Sequence, residues 1–161
     1  MKVIDNFLNP VDFKVISDQI LGPDFTWTYW HQVTDDNDVK DYRNSMFTHI
    51  AFETIQRSTA CEILSSFLND ARLQVNGLKR IKINSYPWTP QVYEHAAHED
   101  YPFPHRGALL NLTTCDGYTA IENQKIPSVA NRVILFDSTK THYGTTTSNS
   151  KRRVIVNLNY F

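Results

Sequence analysis

The feature that most constrains this chain is the change of pattern at Asn76-Gly77. From Leu78 to Phe161 no helical apolar periodicity appears. That half reads as short strands at about 78–86, 91–97, 106–113, 118–122, 131–136 and 152–161, divided by Pro87, Pro90, Pro102, Pro104, Asp116-Gly117 and Pro127. The first half predicts two helices. Asn9-Pro10 offers a cap and a proline for the first helical position, Phe13, Ile16 and Ile20 follow at helical spacing, and Gly22-Pro23 stops the run. A second stripe, Ala60, Ile63, Leu64, Phe67, Leu68 and Ala71, predicts a helix over 58–73. Short strands are predicted at 2–6, 25–31 and 46–52. Two helices followed by many strands define a mainly β sandwich or barrel, a jelly roll among the few choices of this size, with the helices packed on one face.

The 161 residues fit a single domain, 1–161, with room for a core. A net charge of -1 exerts no general pull on nucleic acid or an anionic membrane, so neither is expected as a partner. The basic clusters Lys79, Arg80, Lys82 and Lys151, Arg152, Arg153 read as solvated strand faces. The two cysteines, Cys61 and Cys115, are expected to be reduced. The start, Met1-Lys2-Val3-Ile4-Asp5, is too short and polar for a signal peptide, and no apolar run approaches the ~20 residues of a membrane span. A cytoplasmic chain is expected, in the host cytoplasm if it is viral. The acidic loop Thr34 to Asp41 is a candidate lid.

The densest chemistry lies in His95-Ala96-Ala97-His98-Glu99-Asp100. On an extended chain His98 and Asp100 project to one face about 6.6 Å apart along the strand, close enough to converge on one ion. A third ligand has to come from elsewhere, and His142, 42 residues after Asp100 and just past the apolar run Val133–Phe136, is the best candidate. Two histidines and a carboxylate on one side of a metal leave the opposite positions open, as non-haem iron(II) oxygenases require. Arg153 opens the last strand, and its guanidinium fork suits the far carboxylate of a dicarboxylic 2-oxoacid. His95 has opposite strand parity to His98, so only one of the two is expected to face inward, and His-x-x-His also fits zinc. His105 is a candidate substrate contact, His31 and His49 read as sheet residues, and Asp137 reads as a turn cap.

Four stretches together carry a family likeness: His98-Glu99-Asp100-Tyr101-Pro102-Phe103-Pro104-His105, Asn131 to Asp137, His142, and Arg153-Val154-Ile155-Val156-Asn157-Leu158-Asn159-Tyr160. With Val3 to Leu8 and Arg80 to Pro87, they resemble the iron(II)/2-oxoglutarate-dependent oxygenases of the prolyl-hydroxylase-like type, most of all the small phage and bacterial forms. The resemblance implies a double-stranded β-helix (jelly roll, cupin-like). It implies iron ligation by His98, Asp100 and His142, with Arg153 on the distal carboxylate of 2-oxoglutarate and Asn84 and Tyr86 as further co-substrate contacts. The implied activity is a dioxygenase, a hydroxylase that consumes molecular oxygen and releases succinate and carbon dioxide. Its substrate, a small molecule or a protein side chain, is not encoded in these motifs.

Arg152 and Arg153 are adjacent, so one points inward; the family's final-strand pattern selects Arg153, while Val154, Val156 and Leu158 share parity with Arg152. Relatives often carry a hydroxyl two places after the arginine, where this chain has Ile155. Two other readings stand beside the oxygenase: a non-catalytic jelly-roll binding module, and a cupin-like metalloenzyme that does not use 2-oxoglutarate.

Overall fold

A computed structural model describes residues 1–34 and 41–161. Most of the predicted lid, residues 35–40, lies outside the described residues. The first elements are strand β1 (Lys2–Ile4) and helix α1 (Pro10–Leu21). The Asn9 side chain caps α1 by accepting from the backbone N–H of Val11 and Asp12, with Pro10 in the first turn. Gly22 ends it in an extended conformation, where a Cβ would lie 2.6 Å from the Asp18 carbonyl oxygen. Strand β2 (Thr28–Trp30), a 3-10 turn at Tyr42–Asn44, and strands β3 (Met46–Glu53) and β4 (Ile55–Gln56) follow.

The predicted helix over 58–73 is two single turns, α2 (Ala60–Ile63) and α3 (Ser65–Leu68), broken at Leu64. The stripe is still buried through Ala60, Leu64 and Phe67, because apolar spacing reports burial and not unbroken hydrogen bonding. The second half contains β5 (Leu78–Pro87), β6 (Arg106–Asn111), β7 (Tyr118–Ile121), β8 (Gln124–Pro127), β9 (Val133–Asp137), β10 (His142–Gly144) and β11 (Arg152–Tyr160). Strands β8 and β10 escape the sequence pattern, having only four and three residues. The β7–β8 hairpin turns on Glu122 and Asn123, both at positive φ, as a two-residue turn of this hand requires, but without the usual glycine. The predicted strand at 91–97 is irregular, tied to β10 only by isolated bridges.

All strand pairings are antiparallel. The major sheet runs β1-β9-β6-β11-β5-β3-β2, with β4 on β3, and the minor sheet runs β10-β7-β8. One face of the major sheet packs on the helices: Ile81, Ile83, Leu110, Val154, Val156 and Leu158 meet Ile16, Ile20, Leu64 and Phe67. The other face meets the minor sheet, with Leu109, Ile134, Phe136 and Ile155 against Ile121 and Ile126. This is the jelly-roll architecture with helices on one face.

Burial on both faces of β11 explains the ambiguous parity of its arginines. Val154, Val156 and Leu158 face the helices, and Arg152 goes with them, donating to the Leu21 carbonyl oxygen and stacking near Trp27. Arg153 faces the space between the sheets and is fully buried. The reading of both basic clusters as solvated faces is therefore wrong at Arg153, and wrong again at Arg80 and Lys82. Those two alternate with the helix-facing Ile81 and Ile83 and point between the sheets. Among the described residues no helix is long and apolar enough to cross a membrane, and both cysteines are free.

Candidate metal centre

The segment before Asp100 runs antiparallel to β10. Glu94 bridges Thr145, the His95 N–H donates to the Gly144 carbonyl oxygen at 3.1 Å, and His98 and His142 exchange both backbone hydrogen bonds at 2.9 Å. Three steps on one strand, His95 to His98, thus match two on the other, Gly144 to His142. One residue is extra, which is a β-bulge, and Ala97 is pushed out to solvent. Residues opposite one another share a face. His98 opposite His142 and His95 opposite Gly144 therefore both point between the sheets. The expectation that only one of His95 and His98 faces inward fails because it assumes an unbroken two-residue period.

The ligand atoms of His98, Asp100 and His142 lie within 4.8 Å of one another. The His98 and His142 rings are 4.7 Å apart, and His142 Nε2 is 3.7 Å from Asp100 Oδ2. His142 Nδ1 is 2.9 Å from the Lys140 carbonyl oxygen and His98 Nδ1 is 3.3 Å from that of Ala96. An imidazole that donates from Nδ1 to a carbonyl presents the lone pair of Nε2, the tautomer that a metal needs. Burial, and then the neighbouring His142, pushes the His98 imidazole down, towards the neutral ligating form.

Asp100 is anchored from behind. Arg80 Nη2 donates to Oδ1 at 2.8 Å, while the side-chain amides of Asn159 and Asn157 donate to Oδ2 at 2.8 and 3.3 Å. Burial raises this carboxyl's pKa, but Arg80, His142 and the two amides outweigh it and hold the group at about 2. None of these three anchors was legible as a functional residue. The signal available was parity: Asn157 and Asn159 share the Arg153 face of β11, and Arg80 shares the face of Asn84 and Tyr86 on β5. Lys82 lies on that face too, and burial, then Arg80, holds its ammonium at about 8.

Arg153 closes the far end. Its Nη2 donates to Thr119 Oγ1 at 2.6 Å and Nη1 to the Thr145 carbonyl oxygen at 3.2 Å, while Nε has no partner among the described residues. No carboxylate among the described residues pairs with it. A buried guanidinium without a counter-charge is costly, so it fits an anionic ligand. Gly144 lets both side chains close up on the backbone, since a Cβ there would lie 3.3 Å from both Arg153 Nη1 and Tyr86 Oη, tighter than an ordinary contact. Gly117 makes room for the arginine stem, where a Cβ would approach Arg153 Cδ to 2.8 Å. Tyr86 lies under the guanidinium, 5.5 Å from ring centre to Cζ, and Asn84 Nδ2 reaches its hydroxyl at 3.4 Å. The predicted co-substrate residues Arg153, Tyr86 and Asn84 are thus brought together. A divalent metal and a dicarboxylate both fit the groups present.

His105 sits in the wall behind Asp100. Its Nδ1 is 2.8 Å from the Phe103 carbonyl oxygen and its Nε2 is 3.3 Å from Asn159 Nδ2. Asp137 caps its turn as expected, accepting from the Thr139 N–H and hydroxyl. His49 binds the Thr26 carbonyl oxygen and the Ser58 hydroxyl within the sheet-helix layer. A cavity of about 410 Å³ opens beside His98, lined by Trp30, His31, Gln32, Val33, Thr34 and Glu99.

No protein-family model matches the sequence, and no curated protein matches it. The fold, however, is the one shared by the prolyl hydroxylases and other 2-oxoglutarate-iron(II) oxygenases. A prolyl hydroxylase from Trichoplax adhaerens, solved with a fragment of the hypoxia-inducible factor oxygen degradation domain, matches at a TM-score of 0.66 and 16% identity, over 99% of this chain and 82% of that one. A prolyl-4-hydroxylase from Pseudomonas putida matches at 0.64 and 13%, over 99% and 91%. The non-haem α-ketoglutarate-dependent epimerase SnoN of nogalamycin biosynthesis matches at 0.72 and 10%, over 99% and 76%. At such identities the likeness is one of fold.

Proposed function

We propose that the protein is an iron(II)- and 2-oxoglutarate-dependent dioxygenase that hydroxylates a small molecule or a protein side chain. The observation that carries this reading is the His98-Asp100-His142 cluster together with a buried Arg153 that pairs with no carboxylate among the described residues and shares the face of β11 whose Asn157 and Asn159 hold Asp100. Iron(II) and 2-oxoglutarate, when bound, would react with molecular oxygen, one oxygen atom going to succinate as carbon dioxide leaves and the other to the substrate C–H bond. SnoN, of the same fold, has been solved with Fe3+ and α-ketoglutarate.

The chain's own residues do the rest. Asp100 offers a carboxylate that stays ionised at neutral pH and that Arg80, Asn157 and Asn159 hold in one orientation. His98 and His142 offer Nε2, fixed by the backbone carbonyls of Ala96 and Lys140. Arg153 draws the distal carboxylate to the cradle at Gly144, so the 2-oxoacid end points back towards the cluster. The primary substrate approaches from the cavity beside His98, over Trp30. We assign His105, with both ring nitrogens engaged, to the support of Asn159 and not to substrate.

The test is ligand linkage followed by turnover. Manganese(II), as a redox-silent stand-in, should raise Tm, and 2-oxoglutarate should raise it further only when metal is present. Iron(II), 2-oxoglutarate and oxygen should then yield succinate. A binding module would show neither effect, and a cupin-like enzyme of other chemistry would show the metal shift without the 2-oxoglutarate shift.

A further inference from the structure

His95 is 3% exposed, and neither of its ring nitrogens has a hydrogen-bond partner among the described residues. A buried polar group left unpaired is costly, so two on one ring call for an occupant that pairs with the ring. The bulge between His95 and His98 is what turns this ring inward, opposite Gly144. Gly144 is also the position that Arg153 Nη1 and Tyr86 Oη approach so closely that a Cβ would lie 3.3 Å from each. The His95 ring lies 5.2 Å from the Tyr86 ring, tilted by 30°, and Tyr93 closes its other side at 5.5 Å. Arg153, Tyr86 and His95 therefore meet at one cradle around Gly144, where no polar group of the described residues pairs with the His95 ring nitrogens or Arg153 Nε.

Building on the oxygenase reading, we propose that His95 is a co-substrate-binding residue, donating a ring N–H to the carboxylate of the dicarboxylic 2-oxoacid that rests on Arg153. The acid thereby gives a partner to the ring nitrogen that carries the proton as well as to the unpaired guanidinium. A donor there favours an acid with a second carboxylate over a shorter 2-oxoacid, because only the longer one reaches both partners.

The experiment measures binding to the manganese(II)-loaded full chain by calorimetry, using 2-oxoglutarate and, as a probe lacking the distal carboxylate, pyruvate. His95→Phe should weaken 2-oxoglutarate by roughly ten- to hundred-fold, the worth of a hydrogen bond to a charged group. It should leave manganese(II) affinity and the weak pyruvate affinity unchanged. His95→Gln, which keeps an amide donor, should recover part of the loss. The unliganded His95→Phe protein should melt no lower than wild type, since it sheds two orphaned nitrogens. Unchanged 2-oxoglutarate binding in His95→Phe, or an equal loss for pyruvate, would overturn this role while leaving the oxygenase reading intact. Failure of wild type to bind 2-oxoglutarate at all would overturn both.

Discussion

His98 and His142 face each other across a bridge in which each backbone N–H donates to the other's carbonyl oxygen at 2.9 Å. This pairing brings together two imidazoles that are far apart in sequence, using main-chain bonds that do not depend on either ring. Removing a ligand side chain should therefore spare the fold. Asp100→Asn and His142→Ala should each keep the wild-type far-ultraviolet circular dichroism yet abolish the rise in Tm on adding manganese(II). A variant that still gains the full shift would show that its residue is not a ligand.

Arg80 and Asp100 form a mostly buried ion pair, with side chains 17% and 5% exposed. Removing one member of such a pair strands the other, at a cost of about 3 kcal/mol. Arg80→Gln should lower the Tm of the metal-free protein. Because a divalent cation replaces the lost positive charge beside Asp100, the metal-induced rise in Tm should be larger in the variant than in wild type. An unchanged metal-free Tm with a smaller rise would mean that Arg80 contributes only orientation.

These two relationships differ in how far the sequence reveals them. His-x-Asp, the distant histidine and the arginine of the final strand are visible because metal and carboxylate chemistry restrict residue type strongly. The supports are not visible, because an arginine or an asparagine can serve many purposes on a strand, and the role of Arg80, Asn157 and Asn159 appears only when two neighbouring strands set the same face against Asp100. His95 was misplaced by a parity rule that one bulged alanine defeats. Strand β10 and the β7–β8 turn were hidden for a related reason: three residues are too few for a period, and Glu122-Asn123 reaches positive φ without glycine.

Gly144 offers a test of the cradle that removes no polar group. Its φ is not positive, so alanine is sterically admissible for the backbone. The added methyl would sit 3.3 Å from Arg153 Nη1 and from Tyr86 Oη, tighter than an ordinary contact, and would push the guanidinium and the phenol off the positions assigned to binding the carboxylate. Gly144→Ala should fold and bind manganese(II) as wild type does, but lose about ten-fold or more in 2-oxoglutarate affinity, in line with overpacking costs. Equal affinity in a calorimetric titration would place the dicarboxylate elsewhere.

Burial, then Arg153, holds the His95 imidazole at about 4, against an ordinary value of 6.5. Between those values the unfolded chain binds a proton at this position that the native chain does not. The folded pKa lies below the unfolded one, so proton linkage at this ring costs no stability well above pH 6.5. From there to pH 4 native stability falls as pH falls, by about 1.4 kcal/mol per unit or roughly 3 kcal/mol in all, and the loss levels off below pH 4. His98 is shifted in the same direction and adds to the slope. Urea midpoints of the metal-free protein should accordingly drop between pH 7 and pH 4.5, and His95→Phe should reduce that drop by the share of one proton while leaving the His98 share. An identical pH dependence in the variant would mean that the imidazole titrates in contact with water, which would also remove the reason for its neutral, donor-ready state at the cradle.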